Sequence, residues 1–263
     1  MSGTRREVTV EKVIQGGMGL CRTDEGVVFV EQGLPGERLA VASHTRRRGD
    51  REAGIIDVIT PSPLRREAGC PHYGVCGGCD FQHLTYGGQL ELKLAILREN
   101  LLRIGKFPPE HPLFETLAIE SGPSWGYRCR ARFHCDASDG RVGFFGRGSN
   151  RVVSLTRCPV LTPVLERALT EQEASHDILR GAEGKGKGRG QRETGVHALA
   201  NDCAFALEGE RIVMNLLGRE FATEARLFFQ ANRSLFEKLL SDYIIPEAGE
   251  HAVDLYSGVG GIA

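Results

Sequence analysis

Between residues 70 and 79 the chain reads CPHYGVCGGC, three cysteines in ten residues interleaved with Gly74, Gly77 and Gly78. The glycines let the backbone fold tightly enough for several sulfurs to converge. Three thiolates need one more ligand to close either a tetrahedral zinc site or a cubane cluster held wholly by protein. A zinc ribbon would offer a second C-x2-C, and the sequence has none. Cys158, in the turn RCPV just after a strand-like stretch and followed by proline, is the natural fourth ligand to Cys70, Cys76 and Cys79. Zinc and iron both accept four thiolates, so the spacing leaves the metal open. Three unrelated buried thiols would be the bland alternative, and the turn-rich setting speaks against it. Cys21, Cys129, Cys135 and Cys203 read as structural.

The elements around this run divide the chain. Residues 7–60 read as short strands separated by glycine turns: Val8–Ile14, Leu20–Arg22, Val27–Val30, Leu39–Ala42 and Gly54–Thr60. That pattern suggests a small barrel of the oligonucleotide-binding kind over residues 1–62. Arg46, Arg47 and Arg48 sit on a loop, where a charge run is more often solvated than bound to phosphate. From Gln89 to Ile104, Leu90, Leu94, Leu97, Leu101 and Ile104 recur at helical spacing, a stripe expected to pack into a core. Helices are also expected from Pro163 to Leu179 and near Ser234–Asp242, with strands at 151–155 and 196–217. Residues 181–195, GAEGKGKGRGQRETG, read as a flexible basic loop.

Tyr127–Cys135 alternates strictly. Tyr127, Cys129, Ala131 and Phe133 fall on one face and Arg128, Arg130, Arg132 and His134 on the other. Arginines in one row repel unless something anionic lies across them. RNA would serve, and so would an acidic neighbouring strand. The wider charge pattern agrees with the first, since residues 128–192 hold thirteen Lys/Arg against seven Asp/Glu and residues 193–263 hold five against eleven. The chain closes on HAVDLYSGVGGIA, an apolar strand ending in aspartate and running into a glycine turn. This is how the first βα unit of a doubly wound sheet approaches a nucleotide-like cofactor.

Taken in order, these motifs resemble the bacterial 23S rRNA (uracil-C5)-methyltransferase family. The resemblance runs through LPGERLAV, CPHYGVCGGCDFQH, YRCRARF, RCPV, LFFQAN and DLYSGVGG. It implies a multi-domain protein: an all-β TRAM or OB-like barrel at 1–62, then an α+β iron–sulfur central domain at 63–86 and 116–228. A Rossmann-like α/β domain would begin with the helix at 87–115 and continue at 229–263. The resemblance places [4Fe–4S] ligands on Cys70, Cys76, Cys79 and Cys158, and S-adenosylmethionine contacts on Gln230, Tyr256, Gly258, Gly260 and Gly261. Gly261 departs from the Asn or Thr often found there, and Ser257 stands where relatives often carry Cys. RNA, rRNA before tRNA, is the implied partner, through Arg128, Arg130 and Arg132. The family's ribose-binding acid, nucleophilic cysteine and general base fall after the last residue, so a truncated, inactive chain is expected and no catalytic residue is assigned. In a complete member, a cysteine thiolate adds to uracil C6, C5 takes the methyl group, and a base removes the C5 proton.

Two rivals remain. A radical methylthiotransferase would need a three-cysteine cluster with an open iron, against which the x5 spacing and Cys158 argue. A non-enzymatic RNA-binding protein with a metal-stabilised module would keep the barrel and cysteines and make the closing motif incidental. The composition, 41% apolar and 25% charged, is that of an ordinary soluble protein. No apolar run approaches the ~18 residues of a membrane span. No apolar stretch follows Arg5 and Arg6, so no signal peptide is expected. A cytoplasmic monomer without membrane partners is the expectation.

Overall fold

A computed structural model of the chain describes residues 5–45, 51–136, 140–170, 178 and 195–245. The arginine triplet at 46–48, the basic loop up to residue 194, and Tyr256, Gly258, Gly260 and Gly261 lie outside the described residues. The chain forms two compact units, Met1–Gly69 with Cys79–Ile119, and Cys70–Gly78 with Glu120–Ala263. The cysteine run is therefore divided, and the stretch 87–115 falls in the same unit as the first strands.

The first unit is built on six strands: β1 (Arg5–Thr9), β2 (Lys12–Val13), β3 (Met18–Thr23), β4 (Gly26–Glu31), β5 (Arg38–Thr45) and β6 (Arg51–Thr60). They form one sheet in the order β1-β5-β6-β4-β3-β2, antiparallel except where β4 meets β6. Alternation along the strands turns Val8, Cys21, Val28, Val30, Leu39, Val41 and Ala53 into a common core. Two register shifts between β5 and β6 bend this sheet.

Glu37, fully buried, sits at the turn between β4 and β5. Its carboxylate accepts hydrogen bonds from the backbone N–H of Leu34 at 2.9 Å and of Ser62 at 3.0 Å. Arg65 closes the arrangement with Nε and Nη2 at 2.5 and 2.6 Å, and Nη2 also reaches the carbonyl of Gln32 at 2.7 Å. The motif LPGERLAV thus ties the β4–β5 turn to the segment leaving β6. Burial pushes the Glu37 carboxyl up, but Arg65 and the two amides outweigh it and hold it below its ordinary 4.5.

Helix α1 (Tyr86–Arg103) begins with the Thr85 hydroxyl accepting from Gly88 N–H at 3.2 Å. Its inward face is not the expected leucine stripe. Leu92 is buried beside Val13, Leu34 and Leu84, with Leu64 and Ile96 at the margin. Leu97 and Ile104 are 45% and 77% exposed. Gly88 decides this, because a Cβ there would stand 3.2 Å from Leu64, so the helix approaches along the glycine side. The same side carries the pairs Lys12–Glu99, at 2.5 Å, and Asn100–Gln15, at 3.1 Å. A four-residue helix, α2 (Leu113–Thr116), presents Phe114 beneath the Arg98 guanidinium, 5.1 Å from the ring centre.

The second unit holds β7 (Arg130–Asp136), β8 (Arg141–Phe145), β9 (Val152–Ser154), β10 (Gly195–Ala200) and β11 (Phe205–Leu207) in one antiparallel sheet of order β11-β10-β7-β8-β9. A hairpin of β12 (Arg211–Leu216) and β13 (Arg219–Glu224) stands beside it in sequence. Helix α3 (Pro163–Thr170) starts on proline and buries Val164, Leu165, Ala168 and Leu169. Helix α4 (Arg233–Leu239) is capped by Asn232 and runs into one π-helical turn, Leu240–Ile244. Cys129, Leu199, Ile212, Met214, Phe229 and Phe236 share a core. Among the described residues no helix is long and apolar enough to cross a membrane.

Replacing Glu37 by Gln leaves Arg65 half-desolvated without its counter-charge, so a loss of about 3 kcal/mol is expected in urea unfolding. The lowered carboxyl also fixes a sign. Its contribution is present above pH 4.5 and is lost as pH falls below that, so the acid-induced loss of stability should be shallower in E37Q than in the parent.

Candidate functional site

Within the second unit the cysteine loop 70–78 is stapled to the end of β8. Gly77 N–H donates to the Phe145 carbonyl at 2.9 Å, and Arg147 N–H donates to the Val75 carbonyl at 2.9 Å. These make an antiparallel bridge between Cys76 and Gly146. A Cβ on Gly77 would lie 3.1 Å from the Phe145 oxygen, a backbone atom with little room to give. Gly74 adopts φ +84°, which favours glycine on conformational grounds. Inside the loop, Tyr73 N–H reaches the Cys70 carbonyl at 3.1 Å and Cys76 N–H the His72 carbonyl at 2.9 Å. The His72 ring leaves the loop, its Nε2 3.1 Å from both the backbone nitrogen and the hydroxyl of Thr156.

Burial pushes the Cys76 thiol up, with Cys70 adding to the effect; the Gly78 N–H and the Arg147 guanidinium work against it. Cys158 is buried, with its N–H donating to Glu166 at 3.1 Å and its carbonyl accepting from Leu161 at 3.0 Å. Cys79 belongs to the first unit. No disulfide joins any of the eight cysteines, all of which are described residues. Among the described residues no three His, Cys, Asp or Glu side chains are gathered as a metal site. The local chemistry nonetheless fits a metal–thiolate centre. The donors are soft sulfurs, a glycine N–H points at one of them, and a guanidinium stands nearby to balance negative charge.

The arginine face lies on the neighbouring strand. Along β7, Ala131, Phe133 and Cys135 are buried, with the Phe133 and Phe144 rings stacked at 5.6 Å. Arg130, Arg132 and His134 take the opposite face. Arg130 donates to the Arg226 carbonyl at 3.2 Å and to Nδ1 of His197 at 3.4 Å, and since a guanidinium only donates, that imidazole nitrogen accepts. Burial, then Arg128, pulls the Arg130 guanidinium down from its ordinary value. Among the described residues Arg130 has no carboxylate partner, and its Nε is buried without a hydrogen bond. Arg128 precedes the strand. Its backbone bridges Leu161 and Asn232, and its Nε folds back onto the Arg130 carbonyl at 3.0 Å. His134 stacks on Phe145 with centroids 3.6 Å apart, and burial, Arg132 and His197 together hold it below the usual imidazole value.

In LFFQAN the residues separate. Phe229 is buried, Asn232 caps α4 through Leu235 N–H at 3.2 Å, and Gln230 is exposed, with its carbonyl 3.5 Å from the Cys129 sulfur. Phe228 is 63% exposed, with the Arg130 guanidinium 6.0 Å from its ring centre. His197 and Phe228 were not among the residues marked from sequence. The doubled Phe before Gln230 is the signal for the second, since one strand-like alternation cannot bury both rings.

No family model matches the chain. It is 40% identical over 169 residues to the 23S rRNA (uracil(1939)-C(5))-methyltransferase RlmD of Alkalilimnicola ehrlichii, covering 63% of this chain and 37% of that protein. It is 43% identical over 183 residues to the protein of the same name from Halomonas elongata, covering 67% of this chain and 37% of that one. The chain thus spans well under half the length of these relatives. A crystal structure of Pyrococcus abyssi tRNA (uracil-54, C5)-methyltransferase in complex with S-adenosyl-L-homocysteine aligns with a TM-score of 0.62 at 18% identity, over 97% of this chain and 69% of that one. At that identity the likeness speaks for the fold.

The staple at Gly77 yields a paired expectation. Gly77→Ala forces a methyl group against the Phe145 carbonyl and should cost about 1–3 kcal/mol in urea unfolding. In Gly78→Ala the new atom meets only the Cys76 sulfur, at 3.5 Å, so the metal-free stability should hardly move. Equal losses in both would mean that the bridge does not set the loop.

Proposed function

We propose that this chain is part of an S-adenosylmethionine-dependent RNA uracil-C5 methyltransferase whose substrate is 23S rRNA. The observation that carries the reading is a basic and aromatic patch, in which exposed Arg132 and Phe228 flank half-buried Arg130 and His197, on a chain about 40% identical to enzymes of that name. Arginines track phosphate, and an exposed ring offers a surface on which an unpaired base stacks. A uridine has to leave its stack before C5 is accessible, so a surface that holds a distorted single strand suits this chemistry.

Gln230, Tyr256, Gly258, Gly260 and Gly261 are proposed to hold S-adenosylmethionine, which supplies the methyl group. Cys70, Cys76, Cys79 and Cys158 are proposed to hold a [4Fe–4S] cluster. Four thiolates would leave such a cluster no open position for substrate, and its contribution would be to fix the loop beside β8. None of the residues of this chain is assigned a catalytic role.

The test is a titration against fragments of 23S rRNA and of tRNA over a range of salt. Binding should weaken linearly in log–log form, with rRNA favoured. Arg130→Ala and Arg132→Ala should each lower affinity and reduce the salt slope by about one phosphate contact. Absence of salt-dependent binding would sink the reading. Metal and sulfide analysis of anaerobically purified protein should give about four irons and four sulfides per chain. One zinc without sulfide would favour instead a non-enzymatic RNA-binding protein stabilised by zinc.

A further inference from the structure

We propose that His72 is a positioning residue that clamps the two ligand-bearing segments of the cysteine centre together. This rests on the four-cysteine reading and adds to it a residue that is not itself a ligand. His72 stands two residues after Cys70, and Thr156 two residues before Cys158. The Thr156 N–H donates to Nε2 of His72 at 3.1 Å, and the Thr156 hydroxyl lies 3.1 Å from the same atom. A single side chain therefore joins segments 84 residues apart in sequence. Both partners belong to the second unit, as do Cys70, Cys76 and Cys158.

The chemistry of the ring assigns the role. A backbone N–H can only donate, so Nε2 presents its lone pair to Thr156, and the ring proton resides on Nδ1. The lone pair that would bind a metal through Nε2 is already engaged. What the imidazole supplies is geometry. Closing an 84-residue loop costs chain entropy, and a hydrogen bond that holds the two segments together lowers the share of that cost left to the metal–thiolate bonds. Two backbone bonds at Gly77 and Arg147 hold the other end of the loop to β8, so His72 secures the end nearest Cys70. Groups that orient ligands in this way typically change metal affinity by about 10- to 100-fold.

The experiment uses the full chain with His72→Phe, which keeps a ring without an acceptor, and His72→Gln, whose amide oxygen reaches the position of Nε2. Each is reconstituted anaerobically with iron and sulfide, and loss of the visible charge-transfer absorbance is followed after adding an iron chelator. Urea unfolding of the metal-free forms checks that the fold persists. His72→Phe should release iron about 10- to 100-fold faster than the parent, with His72→Gln close to the parent. Equal release from all three overturns the clamp, and equal acceleration in both variants shows that the acceptor is not what counts. If the parent takes up only zinc, the iron assignment fails, and the same ordering in zinc release to a chelator would still support the clamp. A parent that binds neither metal overturns both proposals.

Discussion

Strand β7 is central in its sheet, between β10 and β8, and its alternation has to satisfy opposed demands. Inward, Ala131, Phe133 and Cys135 are buried. Outward, Arg130 and His134 are half-buried yet carry polar atoms, Nε and Nδ1, that no described residue satisfies. A two-residue period makes the compromise geometrically unavoidable, because a slip of one residue would bury the arginines and expose Phe133. The remaining features of the candidate site are arranged around that strand. Phe145, on the adjacent β8, lends its ring to His134 and its carbonyl to Gly77, so one residue borders both the basic face and the cysteine loop.

The thiols of the second unit separate by environment. Burial pushes Cys129 and Cys135 up to about 11; at Cys129 the Arg233 and Arg130 guanidiniums and backbone amides oppose the rise, and at Cys135 burial acts by itself. Such thiols behave as small apolar side chains. Cys76 is also raised by burial, but the Gly78 amide and Arg147 oppose the effect. A site that resists forming a bare thiolate, yet is furnished with donors to one, is suited to a bound cation, which reverses the balance by its own charge.

Much of this was legible from residue patterns because the signals were local. Glycine turns and two-residue alternation marked the strands of the first unit, and YRCRARF disclosed both faces of β7. The core-facing side of α1 was not legible. Its leucine stripe has helical spacing, but Gly88 permits close approach on another side, and Lys12 and Gln15 reward that orientation with bonds to Glu99 and Asn100. A missing side chain leaves no mark in a hydrophobicity pattern. The His72–Thr156 contact was hidden for a different reason, since nothing in either segment names a partner 84 residues away. Glu37 lies between: LPGERLAV was recognisable as a motif, but only one of the four donors to its buried carboxylate, Leu34 N–H, is inside it, and the others come from Ser62 and Arg65.

Arg130 is the clearest physical argument for an anionic partner. A guanidinium that is partly desolvated, depressed by Arg128 and unmatched by any described carboxylate is held at a cost to the free protein. The neighbouring strands do not relieve it, because the side chain that β10 offers is His197, which accepts one hydrogen bond and carries no negative charge. Among the described residues no acidic side chain pairs with this guanidinium. A phosphate over the face would supply the opposite charge. Phe228, exposed beside the same guanidinium, gives an attached base somewhere to stack. The two features meet at one residue, which is the combination a single-stranded nucleic acid presents and a free inorganic anion does not.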